Sequence, residues 1–230
     1  MIPVALLTAA GSGIGAAAAR ELAAQGWGVA LLSPSGKAEA LAAELGGVGV
    51  TGSYESEDDL RRLLDAALAR WGRVDALVCS AGHGPRGSVL ALSDADWHRA
   101  FETYFLSALR PIRLIAPAMA AGGSIVAVTS ITAQEPNPLY PTSTAMRAGL
   151  HGALKLVAGE LGPRGIRVNA VLPGFVDSIP QPPERYAAAA LGRIGRVEEA
   201  AKAVAFLCSD AASYVTGTTL RVDGGLVKAP

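Results

Sequence analysis

The chain has little that would tie it to metals, disulfides or charged polymers. It contains two cysteines, Cys79 and Cys208. They are too few and too far apart for a disulfide scaffold or a zinc site, which points to a reducing compartment, the cytoplasm. Basic and acidic residues balance at 20 each. With no net charge, no global field draws the chain to nucleic acid or to an anionic membrane. No apolar run is long enough to span a bilayer. The apolar start from Met1 to Leu7 lacks a positive flank and soon meets a glycine-rich loop, so it reads as a buried strand rather than a secretion signal. No repeat or low-complexity tract stands out. No set of His, Cys, Asp and Glu has metal-ligand spacing. His83 reads as a loop residue, and His98 and His151 as helix-surface residues.

What is present is an apolar chain. Half of the residues are hydrophobic and 17% are charged, which fits a sheet buried on both faces. The 230 residues suit one domain with one core, residues 1–230. Short apolar runs alternate with longer helical patterns. Strands are expected at Val4–Thr8, Gly28–Ser33, Val48–Thr51, Ala76–Cys79, Ser124–Ser130, Arg167–Leu172 and Leu220–Val222. Helices are expected at Ile14–Gln25, Ala38–Glu44, Glu57–Trp71, Thr142–Leu161 and Val197–Ser209, with one or two more across Asp94–Met119. The alternation predicts an α/β fold: a doubly wound, Rossmann-type parallel sheet with helices on both faces. Ligands of such sheets bind beyond the carboxyl ends of the strands, where the strand order reverses. The run Leu150, Leu154, Val157, Leu161 marks a buried helix face, either core or interface.

Thr8-Ala9-Ala10-Gly11-Ser12-Gly13-Ile14-Gly15 joins the first strand to the first helix. A dinucleotide diphosphate needs bare amides at a helix N-terminus, and glycine lets the backbone come close. Thr8, Gly11, Ser12, Gly13, Ile14 and Gly15 are therefore candidate cofactor residues. The second strand ends at Ser33 with no acid to bind adenosine ribose hydroxyls and repel a 2′-phosphate. Ser33 and Lys37 would accept such a phosphate, so the expected cofactor is NADP(H) rather than NAD(H).

At this point the chain resembles the short-chain dehydrogenase/reductase family over nearly its whole length. Thr8 to Gly15 is similar to the family's TGxxxGxG, with Ala9 in place of one Gly. Cys79-Ser80-Ala81-Gly82 resembles NNAG, which implies cofactor contact at Ser80, Ala81 and Gly82. Glu160–Asn169, Ser209–Gly217 and Val222–Gly225 resemble later family signatures. Pro173-Gly174-Phe175-Val176-Asp177-Ser178 is similar to the PGxxxT turn that holds the nicotinamide carboxamide, which implicates Pro173, Gly174, Val176 and Ser178. The resemblance further implies a small-molecule substrate and a homodimer or homotetramer.

The departures fall on the catalytic set. In the family a Tyr protonates the substrate oxygen, a Lys four residues later tunes it and holds the nicotinamide ribose, and a Ser binds the carbonyl. Here Ser143 stands at the Tyr position, Arg147 at the Lys position and Ser130 at the Ser position, thirteen residues before Ser143. Tyr104 aligns with the family's Asn. A Ser hydroxyl is a far poorer acid than a phenol, and an Arg keeps its charge but relays no protons. Tyr140 and Tyr104 are candidates to restore the acid. Tyr140 lies seven residues before Arg147, a spacing similar to that of enoyl-acyl-carrier-protein reductases. The candidate catalytic residues are thus Ser130, Tyr140, Ser143, Arg147 and Tyr104. The segment Ile179–Tyr186, with Pro180, Pro182 and Pro183, falls where the family has a substrate lid, and its stiffness suggests an open or small pocket.

The reaction expected from this set is hydride transfer to or from a small carbonyl, alcohol or enone, with a non-standard proton donor. Two alternatives accompany it. One is a cofactor-binding protein with little catalysis, suggested by the missing Tyr and Lys. The other is a non-redox lyase resembling halohydrin dehalogenases, suggested by Arg147 and argued against by the intact glycine loop.

Overall fold

A computed structural model describes residues 2–228. Seven strands form one parallel sheet: β1 (Val4–Leu7), β2 (Gly28–Ser33), β3 (Val48–Thr51), β4 (Ala76–Cys79), β5 (Ser124–Val128), β6 (Arg167–Pro173) and β7 (Thr219–Val222). Their order in the sheet is β3-β2-β1-β4-β5-β6-β7. The order reverses between β1, whose Leu6 lies beside Ala30 of β2, and β4, whose Leu77 lies on its other side.

The first strand shows why the sheet is buried on both faces. Successive side chains of a strand point to opposite sides. Val4 and Leu6 enter one core with Leu60 and Leu63 of α3 (Glu57–Trp71), Ile112 and Ile115 of α5 (Ser107–Ile115), and Leu150 and Leu154 of α6 (Pro141–Leu161). Ala5 and Leu7 enter the other with Leu22 of α1 (Gly13–Ala24), Leu41 of α2 (Lys37–Glu44) and Val204 of α7 (Val197–Cys208). Each fully buried leucine, such as Leu6 or Leu77, contributes about 1.5–3 kcal/mol. Val157 and Leu161 pack against the first core as well.

Local chemistry sets the helix ends. The Ser56 hydroxyl accepts from the Asp59 amide at the start of α3, and Gly72 closes that helix in the left-handed region at φ 70°. Ser93 and Asp96 form a capping box on α4 (Asp94–Phe101). Pro141 opens α6, where a missing amide proton costs nothing.

Within the region Asp94–Met119, residues 94–118 form a continuous helical run with a wide turn in it and a 3-10 turn at its end. Between α4 and α5, residues Glu102–Leu106 form a π-helical turn. Such a turn inserts one extra residue and commonly marks a functional site. Here it turns Tyr104 inward, where it is 5% exposed. Two strands end earlier than expected: β1 stops at Leu7 and β5 at Val128, because Thr8, Thr129 and Ser130 already belong to loops. No described helix is long and apolar enough to cross a membrane, and no described cluster of His, Cys, Asp and Glu could hold a metal.

Candidate active site

A crevice of about 380 Å³ opens at the carboxyl ends of β1, β4, β5 and β6. It runs along Ala9, Ser12–Gly15, Ser80–Gly82, Val128–Thr132, Tyr104, Tyr140, Ser143, Arg147 and Pro173–Val176. This is the switch point of the sheet, where ligands of such folds bind.

The loop before α1 suits a diphosphate. Ser12 precedes α1 in an extended conformation, no side chain caps the helix, and its first turn holds no acid. The amides there are left for a ligand oxygen, and the helix dipole favours an anion. Two glycines are required by close approach. A Cβ on Gly15 would stand 2.6 Å from the Ala9 carbonyl oxygen, and one on Gly11 would stand 2.8 Å from Ser33 Oγ. Ala9 itself has φ 49°, the one described non-glycine residue in the left-handed region.

Thr8 is fully buried and outside the crevice lining. Its hydroxyl donates to the Ser80 carbonyl at 3.0 Å and accepts from the Ser80 amide at 3.1 Å, clipping the end of β1 to the loop after β4. Ser80, Ala81 and Gly82 are thereby held across from the glycine loop. Cys79, at the first Asn position of NNAG, is a buried thiol whose acidity burial suppresses. Its Sγ faces the Ala108 carbonyl at 3.8 Å.

Ser33 does not present its hydroxyl to a ligand. It donates to the Ser35 carbonyl at 2.6 Å and accepts from the Ala38 amide at 3.2 Å, shaping the turn into α2. Lys37 is the exposed first residue of that helix.

The substituted residues form contacts of their own. Arg147 is buried, 8% exposed, with its guanidinium 4.6 Å from the Tyr104 ring centroid. One Nη donates to the Val128 carbonyl at 3.1 Å, while Nε has no partner. Burial pulls the guanidinium down to about 10, still protonated at neutral pH. A buried unpaired N–H costs roughly 1–3 kcal/mol, so Nε suits an acceptor such as a ribose hydroxyl. The Tyr104 oxygen accepts from the Gly84 amide at 2.6 Å.

Ser143 faces Thr132, with the two hydroxyls 3.0 Å apart. Ser130 Oγ accepts from the Thr132 amide at 3.2 Å, which leaves its own proton for a substrate oxygen. Tyr140, at the entry to α6, accepts at its hydroxyl from Arg185 at 3.0 Å. The guanidinium carbons of Arg86 and Arg185 lie 5.0 and 5.9 Å from its ring centroid. Thr142 donates to the Pro85 carbonyl at 2.6 Å, tying the start of α6 to the loop that carries Arg86. Pro173, Gly174, Val176 and Ser178 form the fourth wall.

A family model described as enoyl-(acyl carrier protein) reductase matches residues 8–227. The chain is 35% identical to a 3-oxoacyl-[acyl-carrier-protein] reductase of Escherichia coli K12, over 97% of this chain and 96% of that one. The chain belongs to the short-chain dehydrogenase/reductase family. It is also 38% identical to a cis-4-hydroxycyclohexanecarboxylate dehydrogenase of Sinomonas cyclohexanicum, over 96% of this chain and 95% of the other. Among solved structures, a blue fluorescent protein from a metagenomic library, in complex with NADPH, superposes with a TM-score of 0.89 at 30% identity, covering 98% of each chain. The class to which the chain is assigned is therefore the nicotinamide-dependent oxidoreductases of this family, and its uncapped helix, bare glycines and orphaned Arg147 Nε fit that cofactor.

The structure also corrects the reading of one histidine and adds residues. His151 is not a free surface group. Its Nε2 lies 2.9 Å from Thr129 Oγ1, and burial followed by the charge of Arg147 holds its imidazole down to about 4. His83 lines the crevice, and burial, Arg86 and Arg147 lower its affinity for a proton. Sequence reasoning passed over Thr132, Arg86 and Arg185. The usable signal for the arginines was position, since both lie on loops after the carboxyl ends of β4 and β6.

Proposed function

We propose that this protein transfers hydride between NADP(H) and a small carbonyl, alcohol or enone, and that Tyr140 exchanges the proton with the substrate. One observation carries the reading: a single crevice contains both the bare-amide loop before α1 and the Ser130–Tyr140 pair. A bound dihydronicotinamide supplies hydride to carbon. Ser130 donates a hydrogen bond to the substrate oxygen, while the Thr132 amide donates to Ser130 Oγ and fixes its orientation. Tyr140 gives its phenolic proton to the oxygen of a ketone, or to the carbon or enolate of an enone. Arg185 then holds the phenolate at 3.0 Å until water at the crevice mouth restores the proton. Arg147 positions the cofactor ribose through Nε and, being a guanidinium, relays no proton. Ser143 supports Thr132 and leaves the family's Tyr space without a ring.

The preference for NADP(H) rests on the missing acid after β2 and on the exposed Lys37; Ser33 contributes only the shape of the loop. Like its relatives, the chain is expected to act as a homodimer or homotetramer on a small-molecule substrate.

A second donor is supported by a specific contact. The Tyr104 oxygen accepts from Gly84 while its ring carries the Arg147 guanidinium, an arrangement that also steadies a phenolate. Single Tyr140→Phe and Tyr104→Phe changes separate the two. Loss of the acid lowers turnover by about 10²–10⁴-fold, and the Tyr140 variant is expected to show it with cofactor affinity intact. Turnover unaltered in both variants sinks tyrosine acid catalysis. Calorimetric titration with NADPH and NADH checks the cofactor, and no binding of either returns the protein to the non-redox or non-catalytic readings.

A further inference from the structure

The crevice carries more positive charge than hydride transfer requires. No Asp or Glu lines it, while His83, Arg86 and Arg147 do. Arg185 stands beside them on the short turn Pro183–Arg185, which follows β6. Elsewhere on the surface, arginines such as Arg62, Arg99 and Arg193 are paired with carboxylates. Among the described residues, Arg86 and Arg185 have no such partner.

Their surroundings show that the two are drawn together rather than merely exposed. Arg86 comes from the loop after β4 and Arg185 from the loop after β6, yet both converge on the Tyr140 ring. Arg185 is further fixed by bonds of 3.0 Å to the Tyr140 hydroxyl and 2.8 Å to Gln181 Oε1. Pro180, Pro182 and Pro183 restrict the loop that carries it. Arg86 lays its guanidinium over the ring, which leaves its fork of N–H donors to another group. Two like charges beside one ring, with no carboxylate among the described residues paired to either, leave a place for an anion. A guanidinium fork matches the plane of a carboxylate. Arg86 and Arg147 add to burial in lowering the proton affinity of His83.

We propose that the substrate bears a carboxylate, and that Arg86 and Arg185 hold it at the crevice mouth beside Tyr140. The inference rests on the reading of this crevice as the substrate site of an oxidoreductase. It makes the substrate an oxo, hydroxy or enoyl acid whose reacting carbon lies inward of its charged end. Arg86 and Arg185 are then specificity-determining residues, with the carboxylate bound by the guanidinium groups and the reacting oxygen by Ser130.

The test is calorimetric binding of levulinate, its longer oxo-acid homologues and the methyl ester of each, to the protein loaded with oxidised NADP so that no turnover occurs. At low salt, at least one acid is expected to bind about tenfold or more tightly than its ester, the scale of one charge-assisted hydrogen bond. Added salt should narrow the ratio. A protein with both Arg86→Gln and Arg185→Gln should bind acid and ester alike. Equal binding of acid and ester at every length overturns the proposal, as does a ratio that persists in the double variant. If that variant fails to fold, the unaltered protein decides, because a ratio indifferent to salt also overturns it. Binding is read without chemistry, so the two ideas fail separately. Acid preference without hydride transfer removes the proposed function alone; reduction of neutral ketones with no acid preference removes this inference alone.

Discussion

Ala9 with Ser12–Gly15 and the cluster around Tyr140 line one crevice, yet the first is walled mostly by main chain and the second by side chains. Around the loop, the fit depends on Gly11 and Gly15 having no Cβ and on amides that no side chain caps. Around Tyr140 and Tyr104, the fit depends on guanidinium groups over rings and on hydroxyl pairs such as Thr132–Ser143. At Gly15 the main-chain wall admits no side chain, because a Cβ there would meet the Ala9 carbonyl oxygen. A side-chain wall can be rebuilt whenever partners change together. Here Tyr104 and Arg147, at positions where the resemblance implies Asn and Lys, stack on each other. The difference teaches that the loop's fit is fixed by backbone, while the cluster's fit is set by which side chains meet.

The sharpest way to break this comparison is to add a side chain to the main-chain wall. Gly15→Val places a Cβ 2.6 Å from the Ala9 carbonyl oxygen, backbone that cannot step aside cheaply. Overpacking of this kind costs about 1–3 kcal/mol in stability, and the displaced amides lose the diphosphate as well. Affinity for NADPH, read by calorimetry, is expected to fall about 100-fold or more, near 2.7 kcal/mol. A variant that binds normally would show that the loop is as adaptable as the Tyr140 cluster.

The second break lies where the two regions meet. Arg147 is a buried cation whose Nε has no partner among the described residues. Removing a buried charge is often neutral or stabilising, whereas stranding one is costly. Arg147→Met is therefore expected to raise the unfolding free energy by about 1 kcal/mol or more and to weaken cofactor binding about tenfold. A chemical-denaturation midpoint and a calorimetric titration read the two effects. A loss of stability would mean that the Val128 bond and the Tyr104 ring outweigh the cost of burial.

The same division governs what could be read from the sequence. The strand at Ala76–Cys79 and the helix at Glu57–Trp71 have the expected bounds, because an apolar run and a Ser cap before acids are local signals. The glycine loop was legible for the same reason. The π-turn at Glu102–Leu106 was not, since one added residue hardly disturbs the spacing of apolar positions. Nor was the stacking of Arg147 on Tyr104, which joins residues far apart in the chain. Arg86 and Arg185 look like ordinary solvated loop charges until their convergence on Tyr140 is seen. His151 looked solvated because a helix pattern does not reveal Thr129 at its Nε2.

His151 allows a pH test of the side-chain wall. Burial, then the charge of Arg147, holds its folded imidazole down to about 4 against an ordinary 6.5. The unfolded chain binds the extra proton first, so this contribution is whole above pH 6.5 and is lost as pH falls through 4. Because the ring is partly exposed, solvent screening reduces the effect to about 1 kcal/mol. Thermal unfolding from neutral to acid pH should show a smaller fall in Tm for His151→Gln than for the unaltered protein. Parallel curves would place the imidazole in water, outside the network behind Ser130.

The smallest expected effect concerns Ala9, the non-glycine residue of the loop held in the left-handed region. Ala9 holds φ 49°, a conformation glycine adopts freely and alanine adopts at a cost of about 1 kcal/mol. The strain is local, because the neighbouring glycines already provide the approach that a diphosphate needs. Ala9→Gly should relieve it. Part of the gain is returned by the greater freedom of glycine in the unfolded chain, about 0.4–1 kcal/mol. The net gain in unfolding free energy should be no more than about 0.5 kcal/mol, with NADPH affinity within about twofold of the original. Ala9→Val should go the other way by about 1–2 kcal/mol, since a branched side chain meets the left-handed region badly. If valine were tolerated as well as glycine, the conformation at residue 9 would not limit the fold, and the contrast between the two walls would rest on Gly11 and Gly15 alone.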